Sequence, residues 1–393
     1  MKVVFIGQKG IPAIGGGVER YVEDVATRLA AQDFTVVVYT RPNYTPKHIT
    51  EFKGVSLVSL PSIGTKHLDA ISHTFFSVVH ACFTKADIIH FQSIGPALLS
   101  WLPKLLRPKT IIVSTLQSRD YEHLKWGSFA CAMLKLGERY MCRFSDELIV
   151  VTEKMKHYVK SEYGFEATVV PNGANLYDTV DADNHIKSLG LEKQNYIVAI
   201  SRLVRHKGLA YLIEAYKQLD TNQKLVIVGS GSFTDDYVSE LKKLADNDSN
   251  IIFTGNQSGE TLAQLYAHST LFVQPSESEG LSLALLEAMS RKVPVLVSDI
   301  PENTEAVKDA GYIFKDKNVV DLKEKIQFIL DNPEQAAVMA RAGRKIIEQH
   351  YNWENIVQEI MKLYKAALAD KKASFFARHF SFVKRINDLL PIL

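Results

Sequence analysis

Two carboxylates, Glu279 and Glu287, stand eight positions apart, with a glycine directly after the first. The apolar run 271–274 precedes them, so the pattern predicts a strand, a loop and then a helix. Eight positions span a little over two helical turns, so both carboxylates can face one ligand across the helix start. Backbone N–H groups near Gly280 and Leu281 would meet a phosphate, and the carboxylates would accept hydroxyls. This combination fits a sugar nucleotide; the alternative is two surface glutamates on an ordinary amphipathic helix.

A glycine-rich segment follows the first predicted strand. Gly15, Gly16 and Gly17 directly precede an amphipathic helical pattern. Such glycines let a backbone approach a phosphate or sugar closely, at the helix end that attracts anions. The alternative is a flexible connection, but three consecutive glycines are entropically costly to order, which favours a ligand. The spacing Gly-x-Gly-x-x-Gly is absent at residues 15–20 and 229–234, which disfavours NAD-linked oxidoreduction.

Basic residues bracket a loop predicted after the first strand of the second half. Arg202 and Lys207 are these residues, and a forked guanidinium with a compact ammonium could bind one diphosphate. Loops are often basic, however, and for an isolated pair a solvated loop is the simpler interpretation. Glu277 is predicted to be solvated, because only Glu279 directly precedes the glycine and keeps the eight-residue step to Glu287.

Short β-rich runs alternate with longer helical patterns along the 393 residues, which predicts an α/β fold with parallel sheets covered by helices on both faces. The pattern occurs twice, indicating two doubly wound, Rossmann-like domains that face each other across a cleft. Strands are predicted at 2–7, 35–39, 88–91, 110–115, 147–151, 196–201, 224–229, 250–254, 270–274, 293–298 and 311–314. The domains are predicted at residues 1–170 and 196–350, with a turn-rich linker at 171–195 and a C-terminal segment at 351–393.

Composition excludes several classes of protein. The 46 basic and 44 acidic residues give no charge bias, so nucleic acid is not an expected partner. Three cysteines without paired spacing indicate reduced thiols in a cytosolic protein. No apolar run approaches the ~20 residues of a membrane span, and the N-terminus matches a strand better than a signal peptide. The chain is therefore predicted to be cytoplasmic.

An ordered set of five motifs resembles the retaining glycosyltransferases of family 4, which have the GT-B architecture. The motifs are Gly15-Gly-Gly-Val-Glu19, Pro171-Asn-Gly173, Ser201-Arg202 with Lys207-Gly208, Gly229-Ser-Gly231, and Glu279-Gly280 with Glu287-Ala288. They extend over most of the chain, to about residue 371. The first half is similar to the subgroup of bacterial rhamnosyltransferases and related polysaccharide enzymes, through residues 66–69, 72–74, 94–97 and 125–127.

The resemblance implies a role for each matching residue. Arg202 and Lys207 would hold the donor diphosphate and stabilise the leaving charge, Glu287 would bind the ribose hydroxyls, and Glu279 would contact the donor sugar. Further donor-binding positions implied by it are Gly16, Gly17, Gly229, Gly280, Leu281 and Ser282. No cofactor and no metal ion is expected, because two cations and a helix dipole can neutralise the leaving diphosphate. Asp181 and Asp183 match an Asp-x-Asp metal motif but are predicted to be solvated in the linker.

The main departure from the family pattern is Gln117, where relatives usually carry a histidine that is expected to touch the donor sugar. Glutamine can hydrogen-bond a hydroxyl but carries no ionisable proton, so Gln117 is predicted to position a donor sugar whose identity stays open. Asp120 is the best carboxylate of the first half to orient or deprotonate the acceptor hydroxyl, with a solvated loop aspartate as the alternative. His90, at the end of a predicted strand, is a further acceptor-site candidate.

The predicted function is a cytosolic retaining glycosyltransferase that moves a sugar from a nucleoside diphosphate to a carbohydrate hydroxyl. Its acceptor would be a lipid-linked glycan of bacterial surface polysaccharide biosynthesis. In the family, the helix predicted at 356–368 crosses back onto the first domain. The basic, aromatic tail 371–393 either docks there or binds the inner face of the cell membrane. The alternatives are a sugar-nucleotide 2-epimerase and a catalytically silent sugar-nucleotide-binding protein.

Overall fold

Two predominantly parallel sheets form the framework of the molecule. The computed structural model describes residues 1–65, 68–119, 121, 127–177, 180–231 and 234–387, with side chains up to residue 371. The strands are β1 (Lys2–Ile6), β2 (Thr35–Thr40), β3 (Glu51–Phe52), β4 (Val55–Ser59), β5 (Ile88–Gln92), β6 (Ile111–Leu116), β7 (Glu147–Val150), β8 (Thr168–Val169), β9 (Tyr196–Ile200), β10 (Lys224–Val228), β11 (Ile251–Gly255), β12 (Leu271–Gln274), β13 (Val295–Ser298) and β14 (Tyr312–Phe314).

Helices connect these strands and cover the sheets. The helices are α1 (Gly17–Ala30), α2 (Asp69–Phe83), α3 (Ile94–Ala97), α4 (Trp101–Leu106), α5 (Ser128–Phe144), α6 (Glu153–Tyr163), α7 (Asn184–Ser188), α8 (Leu209–Tyr216), α9 (Asp235–Ala245), α10 (Gly259–Ala267), α11 (Leu283–Ser290), α12 (Pro301–Val307), α13 (Val319–Asp331), α14 (Pro333–His350) and α15 (Trp353–Asn387). None of the helices within the described residues combines the length and the apolar composition needed to cross a bilayer.

The first sheet has the order β3-β4-β2-β1-β5-β6-β7-β8, and the second has the order β11-β10-β9-β12-β13-β14. Every pairing is parallel except the antiparallel hairpin of β3 and β4. The central strands are continuous apolar runs, because helices bury them from both sides. The prediction of an α/β fold with two doubly wound domains is confirmed, and every predicted strand is present. The sequence analysis missed β3, β4 and β8, which are short or lie near a sheet edge.

The C-terminal helix α15 packs on the first sheet although it follows the second in the chain. Trp353 lies against Tyr21 of α1, with ring centroids 5.9 Å apart, and Tyr364 is fully buried in the same cluster. Farther along, Lys371 donates hydrogen bonds to the carbonyl of Thr110 and to Asp146. This helix therefore ties the end of the chain to the first domain. The exact domain limits stay predictions.

His90 belongs to this packing and not to an acceptor site, so that prediction is wrong. The side chain is completely buried in the middle of β5, not at its carboxyl end. Its Nδ1 lies 2.6 Å from the Tyr364 hydroxyl and its Nε2 lies 2.6 Å from the Thr115 hydroxyl. Burial lowers the pKa of His90 to about 3, which keeps the ring neutral. The imidazole thus joins α15 to strands β5 and β6 of the first sheet.

Candidate functional site

The loops after β9 and β12 bring Lys207 and Glu279 together. Lys207 lies in a single 3₁₀ turn, Arg205–Lys207, and its Nζ is 2.5 Å from Glu279 Oε1. Gly208 has a φ of 64° and packs so tightly that a Cβ there would lie 1.8 Å from the Pro275 carbonyl oxygen. Only glycine allows the two loops to approach in this way. The side chains of the ion pair are 13% and 7% exposed, so the ammonium is held at the edge of the cleft in a largely dry setting.

Helix α11 begins just beyond Glu279 and presents backbone donors. Ser282 is its N-cap, and the hydroxyl of Ser282 accepts a hydrogen bond from the Leu285 N–H at 3.3 Å. Over the described part of the chain, no acceptor is recorded for the N–H groups of Gly280, Leu281 and Ser282. Unpaired N–H groups at the positive end of a helix suit an anion. The structure therefore has a helix start at the position that the glutamate motif predicts, and anion binding there stays a prediction.

Glu287 lies farther along α11 between two arginines. Its Oε1 is 3.8 Å from Arg20 Nε, and its Oε2 is 3.8 Å from Arg291 Nη1. Desolvation is the larger influence and raises the pKa of Glu287, although both guanidinium groups oppose it. The Arg291 guanidinium stacks on the ring of Tyr177, with its Cζ 3.6 Å from the ring centroid. Sequence reasoning missed both arginines; the i,i+4 spacing of Glu287 and Arg291 was the available signal for one of them.

The glycine-rich segment faces α11 from the first domain. Gly16 is the N-cap of α1 with a φ of 98°, and Gly15 and Gly17 are exposed. An added Cβ on Gly17 would meet no heavy atom of the described structure within 4 Å. Arg20, one turn into α1, is the residue that reaches Glu287 on the other side. The two helix starts therefore border the same cleft from opposite domains.

Gln117 also borders this cleft, directly against the glutamate loop. A Cβ on Gly280 would lie only 1.9 Å from the Gln117 carbonyl oxygen, so the backbones of these two segments are in direct contact. The Gln117 side chain is buried and its Nε2 is 3.4 Å from Oε1 of Gln92, the last residue of β5. In addition, the side-chain amide of Asn172 donates a hydrogen bond to the Leu281 carbonyl at 2.8 Å. These contacts set the distance between the domains at the site.

The remaining predicted residues have different surroundings. Arg202 is exposed just after β9, five positions before Lys207, and its guanidinium has no partner among the described residues. Gly229 has a φ of 137° and packs on the Ser201 carbonyl, so contact between neighbouring strand ends already accounts for the glycine. Asp120 lies outside the described residues.

The prediction that Glu277 is solvated is wrong. Its Oε1 accepts a hydrogen bond from the Tyr211 hydroxyl at 3.0 Å, and its Oε2 pairs with Lys317 Nζ at 2.9 Å. Asp183 of the Asp-x-Asp match pairs with Lys187 at 3.0 Å. Within the described ranges, no three His, Cys, Asp or Glu side chains come together as a metal site would require. Independence from metal ions stays a prediction.

A buried carboxylate that the sequence analysis missed supports the segment after Gln117. Glu138 of α5 is 1% exposed, and its Oε2 accepts hydrogen bonds from the hydroxyls of Tyr121, Tyr158 and Tyr163 at 3.1, 3.1 and 2.8 Å. Three hydroxyl donors on Oε2 compensate for the burial of that oxygen, while Oε1 has no hydrogen-bond partner among the described residues. Because these tyrosines are scattered along the chain, no local pattern indicates the cluster. It anchors Tyr121, four residues beyond Gln117, to the body of the first domain.

Comparisons with known proteins agree with this geometry. The family model described as "Glycosyltransferase Family 4" matches residues 15–177, and the model described as "Glycosyl transferases group 1" matches residues 181–346. The chain is 28% identical over 375 residues to the GDP-mannose-dependent monoacylated alpha-(1-6)-phosphatidylinositol monomannoside mannosyltransferase of Corynebacterium glutamicum, covering 89% of this chain and 94% of that protein. It is 24% identical over 304 residues to the amylovoran biosynthesis glycosyltransferase AmsD of Erwinia amylovora, covering 76% and 82%.

The fold has solved counterparts. The structure of HepE from Anabaena in complex with UDP and glucose superposes with a TM-score of 0.78 at 20% identity, covering 93% of this chain and 100% of that one. At this identity the likeness concerns the fold, two Rossmann-like domains in the GT-B arrangement. The two family matches together span both domains and include the segments that carry Gly16, Lys207 and Glu287. The chain therefore belongs to the family-4-like glycosyltransferases of GT-B architecture.

Proposed function

We propose that this glycosyltransferase transfers a sugar, with retention of configuration, from a nucleoside diphosphate to a carbohydrate hydroxyl on a lipid-linked glycan. One observation carries the proposal: an ammonium, a row of N–H groups with no acceptor among the described residues and a buried carboxylate follow each other along one edge of the cleft. Lys207, the start of α11 and Glu287 supply these groups in that order. In a sugar nucleotide the diphosphate matches the ammonium and the N–H groups, and the ribose matches the carboxylate.

In this arrangement the diphosphate lies between Lys207, Arg202 and the N–H groups of residues 280–282. Each of these is a charge-assisted or dipole-oriented donor to phosphate oxygens. The ribose hydroxyls donate to the carboxylate of Glu287. The transferred sugar lies toward Glu279 and Gln117, which supply hydrogen-bond acceptors from the two domains. Gly16 and Gly17 allow the start of α1 to approach the donor from the first domain.

The proposed reaction uses these groups to stabilise the leaving charge. The bond between the anomeric carbon and the diphosphate oxygen breaks, and its electron pair leaves with the diphosphate. Lys207, Arg202 and the helix start neutralise the new charge, so that no metal ion is required. The acceptor oxygen bonds to the same face of the anomeric carbon, and its proton passes to the departing phosphate or to Asp120. Closure of the cleft would exclude water that otherwise hydrolyses the donor.

The relatives support the substrate classes. The name of the Corynebacterium enzyme gives GDP-mannose as donor and a phosphatidylinositol mannoside as acceptor. AmsD is named for amylovoran biosynthesis, and HepE is bound to UDP and glucose. We accordingly place this enzyme in bacterial polysaccharide biosynthesis, in the cytoplasm at the inner face of the membrane. Its three cysteines are free thiols, which suits a reducing compartment.

The test is a screen of nucleoside diphosphate sugars, with and without lipid-linked acceptors and with and without EDTA. We expect transfer only when donor and acceptor are both present, undiminished by EDTA, and an anomeric configuration in the product, read by NMR, equal to that of the donor. Release of an epimerised sugar from donor alone would indicate the epimerase instead. Binding of donors, seen as thermal stabilisation, without turnover on any acceptor would indicate the silent binding protein.

Gly280→Ala tests the contact between the domains. The added Cβ would press on the Gln117 carbonyl, so the loops must separate and the donor sugar shifts relative to Lys207. Because misplacement by about 1 Å can cost up to 10²-fold in rate, we expect kcat/KM to fall about tenfold after partial relaxation. Steady-state kinetics and thermal unfolding should be measured together. Gly64→Ala is the matched control, since a Cβ there meets no described atom within 4 Å. Unchanged kinetics in the Gly280 variant would contradict the positioning role.

A further inference from the structure

An unusual number of apolar side chains is exposed on one side of the first domain. Nine of the sixteen large hydrophobic residues recorded as exposed in the described structure fall between positions 63 and 129. They are Ile63, Leu68, Phe75, Phe76, Phe83, Trp101, Leu105, Leu106 and Phe129. Phe83 and Leu105 are 81% and 70% exposed. Concentrations of this kind on a soluble domain mark an interaction surface more often than a packing accident.

The exposed apolar residues of α2 do not belong to the hydrophobic core. The inner side of this helix already fills the sheet-facing cluster with Val78, Ala81 and Cys82. Its outer side carries Phe75, Phe76 and Phe83. The ring centroids of Phe75 and Phe76 are 5.7 Å apart, and Phe83 lies about two helical turns after Phe76. A helix that is apolar on both sides is typical of one that contacts a second apolar environment.

The helices α2, α4 and α5 form one continuous surface, here called the outer helical face. Arg107, at the end of α4, donates a hydrogen bond to the carbonyl of Cys82, which places Leu105 and Leu106 beside Phe83. On its other side, Ser100 at the start of α4 donates to the Tyr140 carbonyl of α5. The exposed apolar residues of α2 and α4 therefore adjoin each other, and α5 lies next to them.

The charge on the exposed side of α5 has one sign. This helix carries three Lys and Arg residues against one acidic residue, whereas Lys104 of α4 is paired with Asp146 at 2.6 Å. Lys135, Arg139 and Arg143 recur every four residues on the exposed side of α5. The one acidic residue of α5, Glu138, is buried under tyrosines and offers no compensating charge at the surface. An apolar strip flanked by a cationic row matches an anionic lipid surface, with acyl chains for the phenylalanines and headgroups for the arginines.

We propose that the outer helical face docks the enzyme on an anionic lipid bilayer. The apolar side chains Phe75, Phe83 and Leu105 enter the headgroup boundary while Arg139 and Arg143 contact lipid phosphates. Helix α2 begins at the carboxyl edge of the sheet, where the cleft opens, so a membrane along this face would border the cleft mouth. The purpose of this docking rests on the proposed function, since a lipid-linked acceptor would reach the cleft from that membrane. The membrane binding itself does not depend on the proposed function.

Vesicle co-sedimentation of the full-length chain tests the proposal. Phosphatidylcholine vesicles with and without phosphatidylglycerol are compared, at low and high salt. We expect binding to the anionic vesicles only, weakened by salt. Phe83→Ser with Leu105→Ser should weaken binding at least tenfold through lost apolar burial, and Arg139→Gln with Arg143→Gln should weaken it about tenfold or more. Val320→Ser with Val338→Ser, two exposed apolar positions of the second domain, is the matched control and should bind like the wild type.

Two outcomes would contradict the proposal that this face docks on a membrane. Equal binding by all variants would place the contact elsewhere, with the tail 371–393 as the alternative. Absence of vesicle binding, together with a concentration-dependent dimer that the Phe83 and Leu105 double variant abolishes, would identify a second copy of the chain as the occupant. Because no sugar donor is present in the assay, a failure of the proposed transferase activity leaves this result unaffected.

Discussion

Lys207→Ala should reduce kcat/KM for sugar transfer about 10²–10³-fold, the range seen when one preorganised donor to a developing negative charge is removed. The ammonium lies at the helix start where the proposed diphosphate leaves, and its environment is largely buried. In such a site the charge is screened little by water. Initial rates of transfer over a range of donor concentrations measure the effect. A loss concentrated in kcat would indicate stabilisation of the leaving group and not donor binding alone.

A neighbouring ion pair of the same type supplies the control. Lys317 pairs with Glu277 at 2.9 Å on the same domain, but its side chain is 53% exposed and it lies outside the proposed donor path. Lys317→Ala should therefore change turnover less than twofold, because exposed pairs contribute little. Similar losses in both lysine variants would contradict the assignment of Lys207.

Removing Lys207 also leaves Glu279 buried without its partner, which by itself destabilises proteins by about 3–5 kcal/mol. Thermal unfolding of Lys207→Met, Glu279→Gln and the double variant separates stability from chemistry. We expect the double variant to recover part of the stability lost in Lys207→Met and none of the activity. Recovery of activity in the double variant would show that the lysine serves only to neutralise Glu279.

Glu287→Gln should weaken donor binding about tenfold, and Glu287→Ala by up to about 10²-fold. A hydrogen bond to a charged group contributes about 1.5–3 kcal/mol, and the alanine variant also leaves the nearby Arg20 and Arg291 without their shared carboxylate. Titration calorimetry with the nucleoside diphosphate measures the change. Glu166→Gln is the control, because Glu166 pairs with Lys160 on the exposed surface of the first domain. Equal affinity in the wild type and the Glu287 variants would exclude a ribose contact.

The same residue predicts a pH dependence. Burial raises the pKa of Glu287, so its carboxylate gains a proton at a higher pH than an exposed glutamate does. As pH falls through this raised pKa, the site loses its charged acceptor, and the dissociation constant of the nucleotide should rise. The Glu287→Gln variant lacks this titration and should show a flatter profile below neutrality. A profile of the same slope in both proteins would assign the pH dependence to another group.

Short sequence patterns predicted much of the candidate site because each of its parts is formed by residues that are close together in the chain. A strand, a glycine and a capped helix succeed each other within the segment around Glu279, so periodicity and turn chemistry were enough to predict an anion-binding helix start. The same holds for the glycines before α1. Failures occurred where a residue's role depends on distant neighbours: His90 was predicted at the carboxyl end of a strand, yet it lies in the middle of β5 and Tyr364 of the last helix covers it.

The sequence by itself determined the two doubly wound domains and the helix starts that border the cleft, since both follow from hydrophobic periodicity, glycines and caps that act over a few residues. Only the tertiary structure decided which of these parts meet. Lys207 and Glu279 pair across 72 positions, Arg20 reaches Glu287 from the other domain, and Gln117 lies against Gly280. Such contacts depend on the order of strands in each sheet and on how the two domains dock. No local pattern encodes these, because many arrangements bury the same apolar faces.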